Sequence, residues 1–217
     1  MGDLIVKEPE GSGSDFELVE AGNYHAICYR YYDLGKQRLE FEGKSKDVHR
    51  VLITWELPEE RIEIDVQDLP RVISKEYTLS LHENATLRQH LETWRGRKFS
   101  KEELKAFSLL NILGKNCMIN VIHNTRNDKT YANVGSIAPL MKGMAKREAE
   151  NPIVSFSIVN DGFNNIPEGT SEKVIAKIQN SLEYEAWSDD KSDGGDPNQG
   201  PAYDEQNPPP PDDDIPF

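Results

Sequence analysis

The sequence predicts a mainly β protein: a five-stranded barrel with one helix between its third and fourth strands, an extra C-terminal helix and a disordered acidic tail. Three observations predict it. Between residues 22 and 81 the chain runs in segments rich in aromatic and β-branched residues, separated by Gly and Pro signals. The apolar spacing becomes helical at Leu87, Leu91 and Trp94, then returns to strand spacing after Gly114. From Ser188 onward aliphatic residues almost vanish before the final tripeptide, so that stretch buries too little surface to offset its ordering entropy.

Each element has its own signal. Residues 1–15 contain Gly-Ser-Gly-Ser and read as a flexible lead-in to a domain spanning 16–187. The first strand is expected over Tyr24 to Tyr32, ending at the turn signal Asp33-Leu34-Gly35. The second runs from Val48 to Leu57 and stops at Pro58, with Ile62, Ile64 and Val66 alternating along a protruding arm. The third spans Val72 to Leu81. Gly96 closes the helix holding Leu87, Leu91 and Trp94, and Ser100 caps a second short helix holding Leu104 and Phe107. Asn116 to His123 and Thr130 to Ile137 form a hairpin around a polar turn. Residues 152–187 are an appendage: a short strand near Phe156, then a helix bearing Val174, Ile175, Ile178 and Leu182 after Thr170-Ser171. Three strands, helices, then two strands is the OB-fold barrel arrangement, which suits oligonucleotides.

The chain has 217 residues and a net charge of -13, with two cysteines, Cys28 and Cys117, in apolar surroundings that suit buried reduced thiols. No apolar run is long enough to span a membrane and no signal-peptide pattern opens the chain, so a cytoplasmic protein is expected. The charge is divided unevenly. Residues 22–147 hold 21 Lys+Arg against 16 Asp+Glu, a net of +5, whereas residues 188–217 carry -8. A basic middle between acidic ends fits a polyanion binder.

Sequence-tolerant binding of a single strand needs cations along the phosphates and flat rings on which bases stack. Tyr29, Arg30 and Tyr31 on the first strand form the densest such cluster. Lys36 and Arg50 follow in and after the connection to the second strand, Trp55 and Tyr77 lie on the next strands, Arg95 and Arg97 end the helix, and Lys129 and Tyr131 lie on the last hairpin. Any one strand tyrosine can equally face inward, Trp55 and Trp94 suit a core, and Arg95 and Arg97 also suit a helix C-terminus. The narrowest set is Arg30, Tyr31, Arg50, Tyr77, Lys129 and Tyr131.

The chain ends Asp212-Asp213-Asp214-Ile215-Pro216-Phe217, behind four prolines at 208–211 that favour extended polyproline. A terminal Phe offers an apolar anchor with its carboxylate beside it, and the aspartates steer it toward basic surfaces. This hexapeptide closely resembles the C-terminal peptide of bacterial single-stranded-DNA-binding proteins, which recruits replication and repair partners. Further segments (Asp33-Leu34-Gly35, Trp55-Glu56-Leu57-Pro58, Ser74-Lys75-Glu76-Tyr77-Thr78, Leu91-Glu92-Thr93-Trp94-Arg95-Gly96-Arg97, Leu113-Gly114-Lys115 and Tyr131-Ala132-Asn133-Val134) resemble a tailed-bacteriophage family of OB-fold single-stranded-DNA-binding proteins. The resemblance implies a protein that coats single-stranded DNA in phage replication or recombination, with no cofactor and with replication proteins as partners of the tip. The tail, a tethered polyanion, is expected to compete with DNA, so that removing residues 188–217 tightens binding.

No P-loop, HExxH, GxSxG or paired CxxC occurs, and the five histidines lack ligand spacing, so neither an enzyme nor a metal site is expected. Asp65, Asp68 and Glu76 as nuclease ligands are the weakest reading. Two other classes remain open: an architectural or annealing protein that also coats duplex DNA, and an adaptor whose barrel binds protein rather than DNA.

Overall fold

The computed structural model describes residues 18–41, 43–64 and 66–192. The lead-in at 1–15, most of the acidic tail and the tip Asp212 to Phe217 lie outside these residues. Three long strands, β1 (Gly22–Phe41), β2 (Lys44–Ile64) and β3 (Gln67–Thr78), form an antiparallel meander, followed by helix α1 (Thr86–Arg95) and the hairpin β4 (Asn116–Arg126) and β5 (Lys129–Ala138). The strand order β3-β2-β1-β4-β5, with α1 between the third and fourth strands, is the expected five-stranded OB-like barrel.

The barrel is nearly closed, and side chains bridge its seam between β3 and β5. Lys75 Nζ donates to the Val134 carbonyl at 2.6 Å. The Tyr77 hydroxyl of β3 lies 2.8 Å from His90 Nδ1 on α1, which packs against β5. Inside, Val51, Ile53, Trp55 and Leu57 of β2 meet Cys28, Ile73, Cys117, Ile119, Val134 and the α1 stripe Leu87, Leu91 and Trp94. Both thiols are free and buried, and burial pushes each thiol pKa up. Gly96 ends α1 in the left-handed conformation (φ 67°), as the sequence predicts.

Five expectations change. β2 does not stop at Pro58 but continues to Ile64, with a register shift between Leu57 and Arg61 that accommodates the proline's missing N–H. The turn at Asp33-Leu34-Gly35 is a bulge within a continuous β1, because Asp33 Oδ1 accepts the Gly35 N–H and Gly35 adopts φ 69°. A Cβ there would also lie 2.5 Å from Ser181 Cβ, so only glycine fits. The helix after Ser100 is a single turn. Ser100 and Glu103 form a reciprocal capping box, but the chain then folds back to set Phe107 edge-on to Phe99 at 5.0 Å. The appendage is a three-residue strand β6 (Val154–Phe156), a short helix α2 (Ile158–Asp161), and then two helices instead of one. α3 (Glu172–Gln179) is capped by Ser171, and Ser181, nearly fully buried, starts α4 (Leu182–Ser192) by accepting from the Tyr184 N–H. Finally, α4 continues to Ser192, past the domain boundary expected at residue 187.

The appendage covers the outer face of β1 and β2. β6 pairs in parallel with Arg30 to Tyr32, and Phe156, Ile158, Val174 and Ile178 form a second core with Tyr32, Leu34 and Leu52. Buried Glu56 accepts the backbone N–H groups of Glu150 and Asn151 and the Asn151 amide, and Asp33 Oδ2 accepts from Ile158 N. Glu76 pairs with Lys177, and Glu183 accepts from Lys36 N. The central stretches of β1 and β2, residues 25–35 and 51–58, are therefore covered on both faces.

Candidate nucleic-acid interface

The two-sided burial decides the fate of the sequence candidates. Tyr29 and Arg30 are buried, and the Arg30 guanidinium lies over the Tyr29 and Tyr32 rings at 5.3 and 5.2 Å from their centroids. Tyr31 is half-buried against the barrel core, and burial and the nearby carboxylates of Asp161 and Asp33 raise its pKa. Trp55 is 0% exposed and packs 6.2 Å from Trp94, so the expectation of a stacking platform there is corrected to a core role. Tyr77 is likewise a core residue, bound to His90. Arg95 has a 1% exposed side chain, pairs with Glu103 and lies over Phe99, so it holds the helix end instead of meeting phosphates. Arg50 pairs with Glu76, and Lys36 with Glu183. Arg97 is partly exposed and shares Glu103 with Arg95. The Arg97 bonds hold the Glu103 carboxyl down at about 2. The imagined ligand trio is not assembled as one either: Asp68 pairs with Arg61, Glu76 with Arg50 and Lys177, and Asp65 lies outside the described residues. Among the described residues no group of three or more His, Cys, Asp or Glu side chains could hold a metal ion.

Lys129 and Tyr131 remain open. Their hairpin turns through Asn127 and Asp128, both at positive φ (51° and 59°), the two-residue geometry that matches strand twist and that Asn and Asp tolerate. The register pairs Ile122 with Asn133, Asn124 with Tyr131 and Arg126 with Lys129, so alternation places these six on one face. Tyr131 is 42% exposed there, beside partly exposed Ile122. Asn124, Arg126, Asn127, Tyr131 and Asn133 line a concavity of about 550 Å³. Asn133 is oriented by its donation to the Tyr131 carbonyl. A ring open on one side, carboxamides beside it and a cation at each strand end can stack a base, bond its edge and hold its phosphate.

The electrostatics agree with this location. Residues 22–85 hold nine Lys+Arg against 12 Asp+Glu, whereas residues 86–147 hold 12 against four, a net of +8. The positive charge of the barrel thus belongs entirely to α1, the hairpin and their connections. Sequence reasoning missed Ile122, Asn124, Arg126, Asn127 and Asn133. A finer division of the charge, with the β4–β5 alternation, is the signal that would have found them.

Comparison with protein-family models and with curated proteins gives no match. No helix among the described residues is long and apolar enough to cross a membrane.

Proposed function

We propose that this protein binds single-stranded DNA through the open face of the β4–β5 hairpin. The observation that carries the reading is Tyr131, exposed between Arg126, Lys129 and a set of carboxamides on the most basic part of an OB-like barrel. It coats DNA in replication or recombination, and the tip Asp212 to Phe217 recruits a basic pocket on a replication protein; that part rests on the sequence alone. Residues 193–217 hold seven acids and no Lys or Arg, a tethered polyanion that competes with DNA for the basic half.

The test is anisotropy of labelled oligo(dT) and matched duplex across a salt series, with the full chain and a form ending at Ser192. Trp55 and Trp94 are buried, so their fluorescence is a poor reporter of binding. Oligo(dT) binding that weakens with salt, and tightens on truncation, supports the reading; no binding by either form overturns it. Burial of the Tyr29 to Tyr32 cluster favours a second reading, in which the barrel docks protein and the chain is an adaptor. Binding of DNA by the form ending at Ser192 separates the two.

A further inference from the structure

A second cationic surface lies at the other end of the β4–β5 hairpin, where three segments converge on Asn116. Its carbonyl accepts from Trp94 Nε1 at the end of α1, its Oδ1 accepts from Arg147 N, and its Nδ2 donates to the Arg147 carbonyl. Gly96 faces Pro139, with 3.6 Å between a Cβ built there and Pro139 Cγ. These contacts bring the loop after α1 beside the connector that leaves β5. The loop carries exposed Lys98 and Lys101, and the connector carries exposed Lys142 and Lys146. None of these four lysines makes an ion pair among the described residues. Of the acids on this side, Glu92 lies near Lys98 but is bonded by Arg88, and Glu103 is taken by Arg95 and Arg97.

This surface differs from the hairpin face in one chemical respect. Its rings point inward: Trp94 and Phe99 are buried, and Phe107 packs against the core. It offers phosphates cations and offers bases nothing to stack on. The gain from such a surface rises with phosphate density, which is greatest on a duplex, at one charge per about 1.7 Å of axis. β4 runs from Asn116 to Arg126, so the two surfaces are separated by roughly 30 Å along the strand.

We infer that the α1-end surface binds the phosphate backbone of duplex DNA while the hairpin face holds a single strand, so that the protein seats on a single-strand/duplex junction. The inference rests on the proposed DNA-binding function.

Three ligands test it with the full chain: oligo(dT), a blunt duplex, and that duplex with a dT overhang. The junction is expected to bind about tenfold or more tighter than oligo(dT), because the second contact is intramolecular. The triple variant Lys98→Glu, Lys101→Glu, Lys142→Glu changes only exposed side chains. It is expected to abolish that gain and lower the junction's salt slope by about 3, leaving oligo(dT) binding unchanged. Tyr131→Ala is expected to weaken oligo(dT) and spare the blunt duplex. A junction bound no tighter than oligo(dT), or a triple variant that weakens oligo(dT) as much as the junction, overturns the inference and leaves the single-strand reading standing. Duplex binding lost in the triple variant, with no oligo(dT) binding by the native chain, supports the α1-end site and overturns the single-strand reading instead.

Discussion

The β1–β3 meander and the α1–β5 half of the barrel use similar residues for opposite purposes. The meander contains the Tyr29 to Tyr32 run with Arg30 inside it, yet the appendage seals its outer face and Trp55 and Tyr77 fill its inner one. The hairpin has a sparser set, with a single tyrosine, but Tyr131 and Ile122 stay open on its outer face. Charge follows the same division: residues 86–147 carry twelve cations against four acids, while the meander's Arg50, Arg61 and Lys36 are engaged by carboxylates. Richness in aromatic and basic residues therefore does not locate a binding surface. What locates it is whether another part of the chain has already used those side chains.

That contrast can be broken most decisively in the second core. Phe156 is fully buried between the appendage and β1, so Phe156→Ala is expected to cost about 3–5 kcal/mol of stability. Urea denaturation measures this, and a loss below 1 kcal/mol would mean that the meander's outer face is not truly sealed. At the junction with the basic half, Glu103→Gln leaves the buried Arg95 without its counter-charge and is expected to cost about 3 kcal/mol. On the open side, Tyr131→Ala is expected to remove about 1–3 kcal/mol of oligo(dT) affinity with the melting temperature unchanged, whereas Trp55→Phe is expected to lower the melting temperature and leave affinity intact.

The smallest effect is a pair of opposed pH dependences. The hydrogen bond that His49 donates to the Asp33 carboxylate raises the His49 pKa above its ordinary 6.5, so its contribution is complete below that value and lost as pH rises through the higher folded one. Burial, then the charge of Lys75, lowers the His90 pKa to about 4. The unfolded chain binds more protons between about 4 and 6.5, so stability falls as pH drops through that window and levels off below it. In melting curves against pH, His49→Gln is expected to flatten the alkaline side and His90→Gln the acidic side.

Much of the fold was legible because its signals are local. The helical stripe Leu87, Leu91 and Trp94, its closing Gly96, the Ser171 cap and the Asn127-Asp128 turn each act within a few residues, and the structure keeps them all. The positions of the strand side chains were not legible. A register shift between Cys28 and Arg30 breaks the two-residue alternation where the sequence is richest in tyrosine, so no pattern could assign inside and outside there. The break at Asn180 and Ser181 that divides α3 from α4 arises where Ser181 is buried against Gly35, a contact across 146 positions of sequence.

The sequence by itself determined the order of the five barrel strands and α1, the β4–β5 turn and the separation of charge along the chain, since each depends on backbone preference or on composition. Tertiary structure alone decided which surface is open. Burial is a property of what packs against a strand, and for β1 and β2 that is a segment about a hundred residues further along the chain.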